Sequence, residues 1–242
     1  MLRRLAIAFV AFGLTFTWVA DARSAGWKRA FAENGVVVDT RAGAGGNMPE
    51  FRGGVTVAAT VWEVLAVIDD LDAVCEWTKR CVQNKELRRD SFTKRVFYNR
   101  TGAPWPFSDR DAVMLGEVSG LHAGTDIRLR FNAIKTPLKP PVDGVVRMPT
   151  MSGLYRITRI DDRRTRVVMQ IRAHPGGWVP DWAAKWVSKR IPIDTLSGLR
   201  KQLPKTRKRY AAFVAKWTPK PAAAPPPLQT SQTPNAPKTR AE

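Results

Sequence analysis

The chain has 242 residues, 40 lysines and arginines against 21 aspartates and glutamates, a formal charge of +19 and 44% hydrophobic residues. These totals suit one sizeable domain or two small ones and exclude a disordered chain, a collagen-like repeat and a disulfide-dense miniprotein. A polytopic membrane protein is excluded as well, because only the extreme N-terminus holds a long uncharged apolar run; the charge predicts attraction to anionic surfaces and says nothing about fold.

Residues 1–25 read as a secretory signal peptide. Arg3 and Arg4 form a basic start, Leu5–Ala20 is apolar, and Ala20-Asp21-Ala22 or Arg23-Ser24-Ala25 offers a cleavage site. An uncleaved anchor is the alternative, but this apolar stretch is short for a span. No cysteine follows the small residues, so a lipoprotein anchor is not supported. Cleavage implies a periplasmic or secreted protein. It would remove few charges, so the positive excess belongs to the mature chain.

Within the body, Val36-Val37-Val38 and Val55–Ala59 are short strand-type runs separated by the glycine-rich turn Gly43–Asn47. Thr60 with Glu63 three residues later forms a capping box. Val61, Val64, Leu65, Ile68, Leu71 and Val74 then share one helical face. Cys75 and Cys81, six apart in an exported chain, are expected to pair rather than remain free thiols. On one straight helix they would lie on different faces, so the pairing requires the helix to end between them, and Lys79-Arg80 suits such an end.

Five strands follow in the pattern: Arg95–Asn99, Ala112–Val118, Asp126–Ile134, Gly153–Ile160 and Arg166–Ala173. In the third of these, Ile127, Leu129, Phe131 and Ala133 alternate with Arg128, Arg130 and Asn132, as in a half-buried antiparallel strand. A long helix starts near Val179, with Pro180 and Asp181 suited to a first turn. Trp182, Ala183, Trp186, Val187 and Ile191 follow at helical spacing. Pro192 is expected to kink or restart the helix before Leu196, Leu199 and Leu203. From Pro219 the composition changes, with seven prolines among the last 24 residues, and residues 219–242 are expected to form a disordered tail. Residues 26–218 therefore make a single α+β domain: a curved antiparallel sheet, a short helix after the second strand, and a long C-terminal helix across the sheet. A cavity can remain between the two.

Three segments carry a resemblance to a known family. They are Pro104–Val113 (PWPFSDRDAV), Gly144–Met148 with Gly153–Ile157 (GVVRM, GLYRI), and His174–Trp182 (HPGGWVPDW), the last continuing to Pro192 and Leu199-Arg200. They are similar to the P-x-S-x-R-D-x-V strand, the G-V-I-R strand and the P-G-G-x-I-P-x-W helix entry of the START (steroidogenic acute regulatory protein-related lipid transfer) family. The phosphatidylcholine-transfer branch looks closest. The resemblance spans about Trp27–Arg200 and implies a helix-grip fold wrapped around the C-terminal helix. It also implies an internal hydrophobic tunnel for one lipid or sterol, with that helix as lid. Two departures stop the transfer of headgroup chemistry. Val74 stands where the phosphatidylcholine branch has a phosphate-binding arginine, and Gly116 where the cholesterol branch has a charged residue.

Candidate cavity residues are Trp77, Trp105, Met114, Leu129, Phe131, Tyr155, Met169, Trp178, Trp182 and Trp186, which together fit a large apolar pocket, although each alone is equally compatible with plain core. Arg110-Asp111 could put charge in the tunnel, but reads first as an ion pair bracing a strand end. Lys185, Lys189, Arg190, Arg200 and Lys201, continued by Lys205, Arg207, Lys208 and Arg209, form the strongest charge run, opposed only by Asp194. With Trp and Ile expected on one helix face and Lys and Arg on the other, this is the pattern of an interfacial helix and the candidate contact with an anionic membrane surface. A monomer without cofactor is expected, and no metal site, because two cysteines and the distant His122 and His174 complete no ligand set. No catalytic motif is present. Related helix-grip proteins include polyketide cyclases, which is the enzymatic alternative. Nucleic-acid binding is prompted by charge alone and no recognition motif supports it.

Overall fold

The computed structural model describes residues 26–43, 49–122 and 124–218. The signal-type segment, the Pro-rich tail and most of the Gly43–Asn47 turn lie outside the described residues.

The chain opens with β1 (Lys28–Glu33), β2 (Val36–Arg41) and β3 (Glu50–Val57), which pair as an antiparallel meander. β1 was not expected from the pattern, which had placed the first helix after the second strand rather than the third. Then α1 (Val61–Asp69) begins at the expected capping box: the Thr60 hydroxyl accepts from the Glu63 N–H, and the Glu63 carboxylate accepts from the Thr60 N–H. The helix ends earlier than its apolar periodicity suggested. Asp70 adopts a non-helical conformation and its side chain accepts from the Ala73 N–H, so Leu71–Glu76 becomes a 3-10 segment. A short acidic side chain that hydrogen-bonds its own backbone competes with helix propagation at this point. The break brings Cys75 to Cys81, and the two are joined in a disulfide.

The rest of the sheet is β4 (Cys81–Arg89), β5 (Lys94–Thr101), β6 (Arg110–Ser119), β7 (Asp126–Ala133), the short β8 (Val146–Arg147), β9 (Thr150–Arg159) and β10 (Thr165–His174). Among the described residues there are ten strands in the order β1-β2-β3-β10-β9-β7-β6-β5-β4, with β8 parallel to β6. All other pairings are antiparallel and the sheet is curved. Then come α2 (Asp181–Thr206) and α3 (Ala211–Trp217). α2 runs unbroken through Pro192 and Pro204, so the expected restart at Pro192 does not occur.

α2 grips the sheet through its second half, where Ile193, Leu196, Leu199 and Leu203 are buried against Val36, Val38 and Phe51 in one core. Gly53 on β3 permits the approach: a Cβ there would lie 2.7 Å from the Pro192 Cβ. α3 is held by aromatic stacking, with Trp217 against Trp62 of α1 at 5.6 Å and against Phe92 at 5.0 Å. Tyr210, between the helices, donates to Asp70 Oδ2 at 2.8 Å. Its pKa is pushed up to about 12, first by burial and then by that hydrogen bond. Among the described residues no helix is long and apolar enough to cross a membrane.

Asp126, at the start of β7, ties two central strands together, accepting from Arg156 on β9 at 2.7 Å and from Arg128 at 2.6 Å. Arg156 foremost, then Arg128, holds its carboxyl below the usual carboxylate range. A carboxylate depressed in the folded state adds stability above its unfolded pKa of about 3.9, and that contribution is lost as pH falls through the folded value. Asp126→Asn is therefore expected to be less stable than wild type near neutrality, with the gap closing below about pH 4 in acid-denaturation curves. A gap independent of pH would contradict this role.

The cavity under the C-terminal helix

Between the sheet and the first half of α2 lies a cavity of about 780 Å³. All ten candidate cavity residues line it. They divide into two groups. Trp77, Met114, Phe131 and Met169 are buried, while Leu129 and Tyr155 are half-buried yet packed against the core. The surface these last two leave open is the wall of the hollow. Tyr155 lies deep, burial alone pushes its pKa above the ordinary tyrosine range, and its hydroxyl has no hydrogen-bond partner among the described residues. Trp105, Trp178, Trp182 and Trp186 instead stand at the rim, 93%, 78%, 66% and 40% exposed. All four line the cavity as expected, from its solvent-facing side.

The rim is set by the chain entering α2. His174 Nδ1 accepts from the Gly176 N–H, and Gly176 and Gly177 both have positive φ. A Cβ at Gly176 would also press on Val146 and Pro149. This turn places Trp178 and the start of α2 over the opening, facing the loop that carries Trp105 and Phe107. The Phe107 and Trp182 ring centroids are 6.4 Å apart.

The sequence pattern missed the polar wall of the cavity, which comes from α1, β4 and β5. Arg95 is 3% exposed, with its guanidinium 2.5 Å from Asp69 Oδ1 and donating to the carbonyls of Phe92 at 2.7 Å and Asp69 at 3.2 Å. Beside it, Thr101 donates to Asn99, Asn99 donates to Asn84, and Asn84 donates to the Leu71 carbonyl at 2.7 Å. Gly116 faces Arg95 across the β5–β6 register, and a Cβ there would lie 3.1 Å from the Phe97 ring. The missing charge at position 116 thus makes room for Phe97, while a charge on the adjacent strand occupies the same part of the wall. Val74 also lines the cavity.

Arg110 and Asp111 do not pair with each other. Asp111, buried, accepts from Arg147 at 2.7 and 3.2 Å and from the Tyr98 hydroxyl at 3.0 Å. Burial, followed by this hydrogen bond, pushes the Tyr98 pKa up to about 12. Arg110 points elsewhere, donates to the Ser108 carbonyl and lines the cavity. Desolvation lowers its pKa. The reason is strand alternation: adjacent residues of β6 face opposite sides. Among the described residues no group of three or more His, Cys, Asp or Glu could hold a metal.

The charge run of the C-terminal helix also divides. Arg190 is engaged by Glu33 at 3.3 Å and Asp194 at 3.9 Å, Arg207 by Glu63 at 3.2 Å and Arg209 by Glu76 at 2.9 Å. Arg200 is half-buried, whereas Lys185, Lys189 and Lys201 are exposed. The expected division of α2 into a Trp/Ile face and a Lys/Arg face does not hold. Trp182, Lys185, Trp186 and Lys189 are exposed together, and the buried side carries Ala183, Ala184 and Ser188.

A curved antiparallel sheet gripping a C-terminal helix over one apolar hollow defines the helix-grip class. The START domain model matches residues 19–209, and the chain belongs to that family. The uncharacterized protein PA1579 of Pseudomonas aeruginosa is 29% identical over 200 residues, 83% of this chain and 96% of that one. The phosphatidylcholine transfer protein of Mus musculus is 29% identical over 125 residues, 50% of this chain and 56% of its own length. Among solved structures, a STAR-related lipid transfer protein fragment from Xanthomonas axonopodis is 30% identical with a TM-score of 0.67, covering 74% of this chain and 99% of that one. Human StAR-related lipid transfer protein 5, at 22% identity and a TM-score of 0.68, covers 76% of this chain and 89% of that one and shares the fold.

Proposed function

We propose that this chain is an exported carrier that holds one lipid in the cavity under α2 and moves it between membranes. The carrying observation is the hollow itself: about 780 Å³, walled by Met, Leu, Phe and Trp side chains. That volume is within the range of sites that take one small hydrophobic molecule. Family membership and the lipid-transfer names of its relatives support the same reading.

The chemistry is shielding. Burying apolar ligand surface at about 25 cal/mol per Å² offsets extraction from a bilayer, and release requires that the sum stay moderate. The polar wall can orient the ligand's head group. Tyr155, on β9, offers a free hydroxyl to the cavity as well, whereas Arg95 is already neutralised by Asp69. No bond need be made or broken. The N-terminal segment supports export, and the Cys75–Cys81 disulfide suits an oxidising compartment such as a periplasm.

Native mass spectrometry of the full-length gene product purified from a bacterial envelope, followed by lipid extraction, tests the proposal. The expected spectrum shows a mature chain beginning after Ala22 or Ala25 with one lipid-sized adduct that is extracted unchanged. A chain without any adduct that also moves no lipid between donor and acceptor vesicles would overturn the carrier reading. Conversion of a bound compound would favour an enzyme.

A further inference from the structure

We infer that the Cys75–Cys81 disulfide is a thiol–disulfide exchange site that latches α2, so that its reduction loosens the helix over the cavity. The consequence for ligand release rests on the carrier reading; the effect on α2 does not. From Asp181 to Ile191 the helix lies over the hollow, and the only side chains it buries there are those of Ala183, Ala184 and Ser188. Small side chains above a cavity contribute little burial, so this half of α2 has to be held from outside.

The loop between the two cysteines supplies that hold. Four of its residues reach α2 or the chain just beyond it. Glu76 accepts from Gln202 at 2.8 Å and from Arg209 at 2.9 Å. The Trp77 carbonyl lies against Gly198, Lys79 pairs with Asp194 at 3.1 Å, and the Arg80 guanidinium stands 4.9 Å from the Trp186 ring centroid. Gln202, Gly198, Asp194 and Trp186 lie on one i±4 row of the helix, so the loop runs along it as a strap. Little else fixes the shape of this strap. Arg80 holds a positive φ, and the buried atoms Trp77 Nε1 and Thr78 Oγ1 have no hydrogen-bond partner among the described residues. Groups left unpaired in this way favour another arrangement once the closure is removed.

The position of the disulfide suits exchange. Both cysteines are half-buried, and Glu76, Lys79 and Arg80 between them are exposed, so a reductant meets the bond in the folded state. Thiolates form more readily beside cations, and Lys79 and Arg80 directly precede Cys81. A cross-link between residues six apart is at the short end of loop lengths, where closure adds least to global stability. Its effect is therefore concentrated on the strap. In the reaction, a thiolate of a reducing dithiol attacks one sulfur of the disulfide, the S–S bond breaks and a mixed disulfide forms. The donor's second thiolate then attacks that mixed disulfide and frees the cysteine. The donor leaves as a disulfide, and Cys75 and Cys81 have gained two electrons and two protons. An oxidising compartment keeps the latch closed, and a dithiol partner opens it.

The test is amide hydrogen exchange of the protein with and without dithiothreitol, read by mass spectrometry. On reduction, the first half of α2 is expected to exchange about tenfold faster, the worth of one exposed ion pair plus one cation–π contact, while β7 and β10 keep their rates. Cys75→Ser/Cys81→Ser is expected to match the reduced protein without reductant. Lys79→Ala/Arg80→Ala, which keeps the disulfide, is expected to quicken α2 as well. Reduction should then add less than it does in wild type, as for groups that act through one device. Loss of the co-purified lipid adduct to phosphatidylcholine vesicles, followed by native mass spectrometry, is expected to quicken by a similar factor on reduction. Exchange in α2 that is indifferent to reduction, an equal rise in β7 and β10, or a disulfide that dithiothreitol leaves intact in the folded protein would each overturn the latch. An adduct lost equally fast from both states would overturn its role in release. Absence of any adduct would sink the carrier reading, with the α2 rates still deciding the latch.

Discussion

Arg95→Ala is expected to lower the unfolding free energy by about 3–5 kcal/mol in chemical denaturation, the range for breaking a buried ion pair from one side. Arg95 and Asp69 side chains are 4% and 10% exposed, so solvent screening does little to discount the figure. The loss has three parts. The Asp69 carboxylate is left buried without its cation, the Asp69 carbonyl loses a donor, and so does the Phe92 carbonyl. Arg95 thereby ties the end of α1 to β5 and to Phe92, whose ring stacks on Trp217 of α3. The double variant Asp69→Leu/Arg95→Met is expected to recover much of the loss, because replacing a whole buried pair by apolar groups is often neutral or stabilising. A loss below about 1 kcal/mol in the single variant would mean that water reaches the pair through the cavity. The hollow would then be hydrated, which counts against a lipid-filled interior.

The central strands were legible in the sequence because each shows its core face as alternation: Ile127 and Phe131 on β7, Val167 and Met169 on β10. The two missed strands β1 and β4 are the opposite edges of the sheet. β4 (CVQNKELRR) buries only Asn84, and β1 (KRAFAE) buries no residue, so neither carries an apolar period to detect. Edge strands are commonly charged in this way, which keeps their unpaired backbone from recruiting other chains. The polar wall of the cavity was lost with β4. Asn84 has meaning only beside Asn99, fifteen residues away, and Arg95 only beside Asp69.

Asp111 pairs with Arg147 rather than with its neighbour Arg110, and that partner arrives 36 residues later on the parallel β8. The rim is a different case, since its signal was present in the spacing. Trp182, Lys185, Trp186 and Lys189 sit at i, i+3, i+4 and i+7 and so must share a face.

Gly198→Ala inverts a familiar expectation. In an exposed helix interior this change adds about 1 kcal/mol of stability. Gly198, however, lies where α2 crosses the segment joining the 3-10 turn to β4, and a Cβ there would fall on the Trp77 carbonyl oxygen, well inside contact distance. That obstacle is backbone, just after the 3-10 segment and inside the loop closed by the Cys75–Cys81 disulfide, so it cannot rotate aside as a side chain would. The helix must shift instead, which disturbs Leu196 and Leu199, both fully buried. We expect a net destabilisation of about 1–3 kcal/mol, the usual cost of overpacking, read as a lower Tm in calorimetry. The same displacement lifts the roof of the cavity, so the fraction of lipid-loaded protein in native mass spectra should fall with it. A raised Tm would show that α2 does not rest on Trp77 at all, and the cavity beneath its first half would lose the anchor that closes it.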